Sequence, residues 1–158
     1  MIGTGQNLMS GSWNPLNFPN LNSEKYEPEM SRATRSYNCL AFAAGTTMER
    51  WEPTEGYFWP PTAPRDETVD AFVKAYEWIN YKKCDDGSLE AGFEKIAIFA
   101  KRENGEEFAT HASRQLQDGR WTSKIGDCED IVHPDLNVVG GTNSLYGNVV
   151  QFMKRDRL

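Results

Sequence analysis

The chain has 158 residues, with 17 Lys plus Arg against 23 Asp plus Glu, a formal net charge of −6. Hydrophobic residues make up 39% and charged ones 25%, values of a soluble domain long enough to bury one core. An acidic chain without a Lys/Arg cluster does not suit general nucleic-acid binding, whose affinity comes from neutralised phosphates. No apolar run approaches the ~20 residues of a membrane-spanning helix, so neither nucleic acid nor membrane is an expected partner. The opening MIGTGQNLMSGS has neither the basic nor the apolar region of a secretory leader. The expected location is therefore the cytoplasm, or export by a route that cleaves no signal.

Residues 1–35 read as an irregular arm: fourteen of the first thirty are Asn, Pro, Gly or Ser, without apolar periodicity. Order is expected from residue 36 to 158. Leu40, Ala43, Ala44, Thr47 and Trp51 recur as one stripe of a helix. Ser36 or Asn38 is its candidate N-cap, and Gly45 weakens its interior. Pro53, Gly56, Pro60, Pro61 and Pro64 then break the chain into a loop carrying Tyr57, Phe58 and Trp59. A second helix follows, capped by Asp66, with Val69, Phe72, Val73, Tyr76 and Ile79 on its inner face.

The period next changes to two. A strand at residues 93–100 reads as a nearly continuous apolar run, as in strands covered on both faces. Asn104-Gly105 is a tight-turn signal, residues 107–117 form the next strand, and Asp118-Gly119 introduces a third at 120–125. A last strand is expected at 146–153. Helices first and antiparallel strands after give an α+β domain, N-terminal helices packed on an antiparallel sheet.

Three cysteines (Cys39, Cys84, Cys128) and two histidines (His111, His133) bound the chemistry. The odd count and wide spacing point to reduced thiols. There is no C-x-x-C, no H-E-x-x-H and no G-x-x-x-x-G-K-[ST], so no cofactor and no metal are expected; a site from Cys39, His111 and Asp127 would lack a fourth ligand. Cys84 and Cys128 read as small packing residues, and His133, ahead of Pro134, as a loop residue. Lys124 reads as a surface lysine able to position a carboxylate.

The informative segment is Tyr37-Asn38-Cys39-Leu40-Ala41-Phe42-Ala43. A thiol in a first helical turn faces unsatisfied N–H groups and the positive dipole end, which favour the thiolate. Seventy-two residues later, Thr110-His111-Ala112-Ser113 places an imidazole, the side chain best suited to take a thiol proton, in a strand. A buried packing role for Cys39 and a satisfied sheet role for His111 are the competing readings.

A helix-borne Cys followed by a sheet-borne His resembles the papain-like cysteine hydrolases, in particular the compact bacterial NlpC-type and CHAP-type branch. More broadly, Tyr37 to Gly45, Thr110 to Gln115 and Gly119 to Lys124 resemble an uncharacterised bacterial domain family. The papain-like resemblance implies a papain-like α+β fold and a hydrolase cleaving an amide or isopeptide bond. Cys39 would be the nucleophile, His111 the base and then acid, and a polar residue on the next strand the orienting group.

Asp127 is the first choice for that third residue, with Ser123 and Asp130 as alternatives. The choice depends on register. A two-residue turn at Asp118-Gly119 sets His111 opposite Gly126, whereas a three-residue loop brings Trp121, Ser123 and Ile125 to its face. Asn38 and the Cys39 amide would form the oxyanion hole. Trp59 and Trp121 would line the groove for a peptide or protein substrate, the peptide of peptidoglycan among them. The same pair would equally run acyl transfer or glutamine deamidation in an effector. The alternative from another class is an inactive relative that binds through the Tyr57–Trp59 loop.

Overall fold

A computed structural model describes residues 16–21, 27–28, 35–125 and 130–157. The centre is one seven-stranded sheet in which every neighbouring pair is antiparallel, with spatial order β1-β6-β5-β4-β3-β7-β2. The strands are β1 (Glu27–Pro28), β2 (Lys82–Cys84), β3 (Phe93–Glu103), β4 (Glu106–Gln115), β5 (Trp121–Lys124), β6 (Asp130–His133) and β7 (Asn148–Asp156). Two helices precede the main strands, α1 (Cys39–Ala44) and α2 (Val69–Glu77), and a 3-10 turn spans Leu136–Val138. The expected helices over an antiparallel sheet are present. Of the expected irregular arm, residues 27–28 pair with β6, and much of the rest lies outside the described residues.

The long β3–β4 hairpin follows from its sequence. Asn104 and Gly105 both take positive φ, 52° and 80°, the twist a tight hairpin turn requires. The β3–β4 pairing slips between Phe99 and Ala100, a bulge that leaves His111 opposite Phe99.

Alternation along β3 and β4 builds two cores. Ile96, Ile98, Ala112 and Met153 face the helices with Leu40, Phe42, Phe72 and Tyr76. Ala97, Phe99, Trp121 and Ile131 face the opposite way, beneath Val139 and Tyr146, with Phe18 and Leu21 of the N-terminal segment. A sheet covered on both faces explains why β3 reads as an unbroken apolar run.

The first helix is shorter than its stripe suggests. Gly45 takes φ 95°, and the Gly45 and Thr46 N–H groups close back on Phe42 and Ala41 carbonyls, so this glycine ends the helix rather than weakening it. Trp51 instead forms an isolated bridge with Phe58. The cap of α2 is Thr68, whose hydroxyl accepts from the Ala71 N–H, while Asp66 accepts from Thr68.

At Asp118-Gly119 the three-residue loop is the one adopted. Arg114 pairs with Thr122 and Gln115 with Trp121, and the Leu116 N–H donates to the Arg120 carbonyl. His133 lies on β6 rather than in a loop, because β5 and β6 pair from Trp121↔His133 to Lys124↔Asp130. Lys124 is fully buried and no surface residue; its ammonium sits 5.3 Å from the Tyr37 ring centre. Among the described residues no helix is long and apolar enough to cross a membrane.

Candidate functional site

Cys39 opens α1 and lies in the helix-side core with Trp51, Tyr76, Ile98 and Ala112. Burial pushes its thiol up to about 11, outweighing the backbone N–H groups of Ala112 and Leu40 and the charges of Lys124 and Arg50. The expectation of a dipole-activated thiolate therefore fails on desolvation. Six helical residues provide little dipole, and removing the sulfur from water favours the neutral thiol.

His111 does not meet it. Residues 111 and 113 of β4 point into the second core, and only Ala112 between them points toward α1. The His111 ring stacks on Tyr146 with centroids 3.9 Å apart and 4° between planes, and meets Phe99 at 5.2 Å. The sheet backbone thus lies between the expected nucleophile and its expected base. The physical reason is the strand period of two: one residue of register decides the face.

Around His111 is instead a polar chain. Its Nε2 is 3.1 Å from Ser123 Oγ and 3.3 Å from Ser113 Oγ; the two hydroxyls are 2.7 Å apart; Ser123 Oγ is 2.8 Å from His133 Nε2. His133 Nδ1 is 2.8 Å from the Asp135 carbonyl. All four side chains are fully buried. Burial holds His111 well below its ordinary titration range and His133 down to about 4, so both rings are neutral at pH 7. Ser123, the alternative partner in the sequence reading, does contact His111. The polar chain is a buried internal hydrogen-bond network, on the other face of the sheet from Cys39.

The remaining expected site residues separate as well. Asn38 is the N-cap: its Oδ1 accepts from the Ala41 and Trp51 N–H groups, and its Nδ2 donates to the Trp51 carbonyl at 2.8 Å. Its Oδ1 and one of its two Nδ2 hydrogens are thus spent on backbone groups, a capping role rather than the expected oxyanion one. Trp59 and Trp121 are each 4% exposed. Trp59 donates to the Pro64 carbonyl and tilts against Phe72, while Trp121 packs on Phe152. Neither lines an open groove, because the rings are large enough to be core and their polar or aromatic neighbours fix them there.

Asp127 and Cys128 lie outside the described residues. Asp130 is buried on β6 and accepts from the Tyr37 hydroxyl at 3.0 and 3.2 Å. Lys124 and Asp130 are cross-strand partners on the helix side of the sheet, the side of Cys39. Among the described residues no group of three His, Cys, Asp or Glu is gathered to hold a metal ion.

At the surface, Tyr57 and Trp78 are each 44% exposed. Trp78 ends a row of rings running out from the core, with Tyr76–Trp51 centroids 5.8 Å apart, Trp51–Phe58 5.6 Å and Phe58–Trp78 5.7 Å. The Arg65 guanidinium donates to the Thr54 and Tyr57 carbonyls, bracing the loop. Trp78, at the end of α2, is the surface ring the sequence reading missed; its place between Tyr76 and Ile79 but off their inner stripe was the available signal.

The chain belongs to a family described as a domain of unknown function, DUF7689, whose model matches residues 29–154. No curated protein and no solved structure matches the chain.

Proposed function

We propose that this domain is a non-catalytic relative of the papain-like hydrolases, a binding module that presents an aromatic shelf to an extended, apolar peptide segment. The observation carrying this is that Ala112, not His111, faces Cys39. A papain-like site needs an imidazole within hydrogen-bond reach of the sulfur, and at that position the side chain is a methyl group. The protonated thiol points the same way.

The shelf of Tyr57, Phe58 and Trp78 supplies the contact surface. The Phe58 and Trp78 rings pack on each other, and Arg65 braces the backbone at Tyr57, so little side-chain entropy is lost at those two rings on binding. Rigid, partly exposed aromatics are the residue types that dominate binding energy at interfaces.

A second reading keeps an enzyme. Lys124 and Asp130 share the face of Cys39, and the Lys124 charge opposes the rise in its pKa. A hydrolase, acyltransferase or deamidase in this fold would run on those groups, with Cys39 as nucleophile.

One comparison separates the two. Peptides selected from a random phage-displayed library on the wild-type chain should be rich in apolar residues and bind Cys39→Ala equally. They should lose at least tenfold in affinity for a Tyr57→Ser/Trp78→Ser variant, a loss expected when an anchoring aromatic is removed. Equal binding to the double variant would overturn the shelf. Cleavage or deamidation of a peptide by the wild type, absent in Cys39→Ala, would overturn the non-catalytic reading.

A further inference from the structure

The polar chain between β4 and β6 has only one consistent assignment of hydrogens. The Asp135 carbonyl can only accept, so His133 Nδ1 carries a proton and its Nε2 is bare. Ser123 must then donate to His133 Nε2. Ser113, 2.7 Å from Ser123 Oγ, donates to Ser123, whose own hydrogen is already used. His111 Nε2 meets only oxygen lone pairs, so it carries the hydrogen and leaves its Nδ1 bare. That atom is buried without a partner.

Every donor therefore points from β4 toward Asp135, and the chain has no place for another proton. A proton on His133 Nε2 forces Ser123 and Ser113 to reverse, and His111 then keeps its hydrogen only by moving it to the partnerless Nδ1. A proton added directly to His111 Nδ1 leaves a cation without an acceptor beside Phe99 and Tyr146. The first outcome buries a cation and leaves the neutral His111 Nδ1–H unsatisfied; the second buries an unsatisfied charged donor.

The position of the chain in the sheet gives this a consequence. β3 is joined to β4 and to β7 through eight residue pairs each. β5 is joined to β4 through two, Arg114↔Thr122 and Gln115↔Trp121. Beyond those pairs, where the β4–β5 ladder has ended, His111 and Ser113 reach Ser123, and through it His133 on β6.

We propose that the His111–Ser113–Ser123–His133 chain is an acid-operated latch: proton uptake releases β5, β6 and the β1 paired to it from β4, while the β3–β4–β7 core stays folded. The groups facing the two rings from the packed elements are Phe99 of β3, Ser123 of β5, each other across β4 and β6, Tyr146 of the 141–147 segment, and Asp135 beyond β6. Among the described residues, the charges bearing on them are Asp135, which favours the charged form of His133, and His133 itself, which opposes charge on His111. One carboxylate at the far end offsets neither burial nor the missing acceptor at Nδ1.

Amide hydrogen exchange of the full chain at pH 7 and pH 4.5, corrected for intrinsic exchange, tests the latch. Protection at residues 121–124 and 130–133 should fall at least tenfold more than protection at 95–99 and 149–153. At pH 7 the nitrogen shifts of the two rings should report His133 protonated at Nδ1 and His111 at Nε2. An unchanged pattern at pH 4.5, a uniform loss over all strands, or the opposite tautomer at either ring would overturn the proposal. All of these readings use the wild-type chain, so no variant need fold.

Discussion

The His111 imidazole lies flat against the Tyr146 phenol ring, their centroids 3.9 Å apart and their planes 4° from parallel. Tyr146 also takes Phe18 edge-on at 4.9 Å, so one ring joins the β4 histidine to the N-terminal segment. Replacing Tyr146 with Ala should destabilise the fold by about 3–5 kcal/mol, the range for emptying a buried aromatic site. Tyr146→Phe, which keeps the stack, should cost much less. Urea midpoints at constant slope measure both.

Asn38 makes three hydrogen bonds that no smaller side chain replaces, two accepted from the Ala41 and Trp51 N–H groups and one donated to the Trp51 carbonyl. Asn38→Ala removes the helix cap and orphans buried backbone groups, an expected loss of about 2–3 kcal/mol. Asn38→Asp keeps both accepted bonds and should recover part of it. Thermal unfolding of the pair checks the ranking.

Stability should fall on acidification. His133 is held down to about 4 in the fold against about 6.5 unfolded. Between these values the unfolded chain binds the extra proton, so stabilisation is fully present above pH 6.5 and is lost as pH falls toward 4. At about 1.4 kcal/mol per unit, that one group accounts for about 3 kcal/mol. His111, held well below its ordinary range by burial, adds a loss of the same sign on acidification. A pH series of urea midpoints that stays flat from 7 to 4.5 would contradict this.

Gly87 lies where the segment after β2 crosses the second face of the sheet, its carbonyl accepting from Gln115 Nε2 at 2.7 Å. A Cβ there would come within 2.6 Å of Phe152 Cε1 and 3.0 Å of Trp121 Cζ2. Both rings are packed against each other, so Gly87→Ala should cost about 1–3 kcal/mol by overpacking. Chemical denaturation of that variant measures it.

Much of the fold was legible because local signals agreed. The Asn104-Gly105 turn, the apolar run of β3 and the spacing of Phe72, Val73 and Tyr76 each specify one answer. The short strands β2 and β6 were not legible. Lys82-Lys83-Cys84 has no alternation, and β6 is a strand because β5 and β1 pair with it. The site was misread for a related reason. Cys39 and His111 were found as residue types in suggestive places, but whether a strand histidine faces a helix depends on one residue of register. The three-residue loop before β5, one of the two registers weighed, puts Ser123 beneath His111. His133 looked like a loop residue because Pro134 follows it, yet the Pro only ends the strand.

The separation of Cys39 from His111 is tested most directly by the alkylation rate of Cys39 against pH, followed on the wild-type chain by mass spectrometry of the labelled peptide. A thiol held up to about 11 by burial, with no imidazole partner, should react slowly. Its rate should climb about tenfold per pH unit from pH 6 to 9 without levelling, as the thiolate fraction does below its pKa. A rate that levels off below pH 7, the mark of a thiolate paired with an imidazolium, would contradict the account.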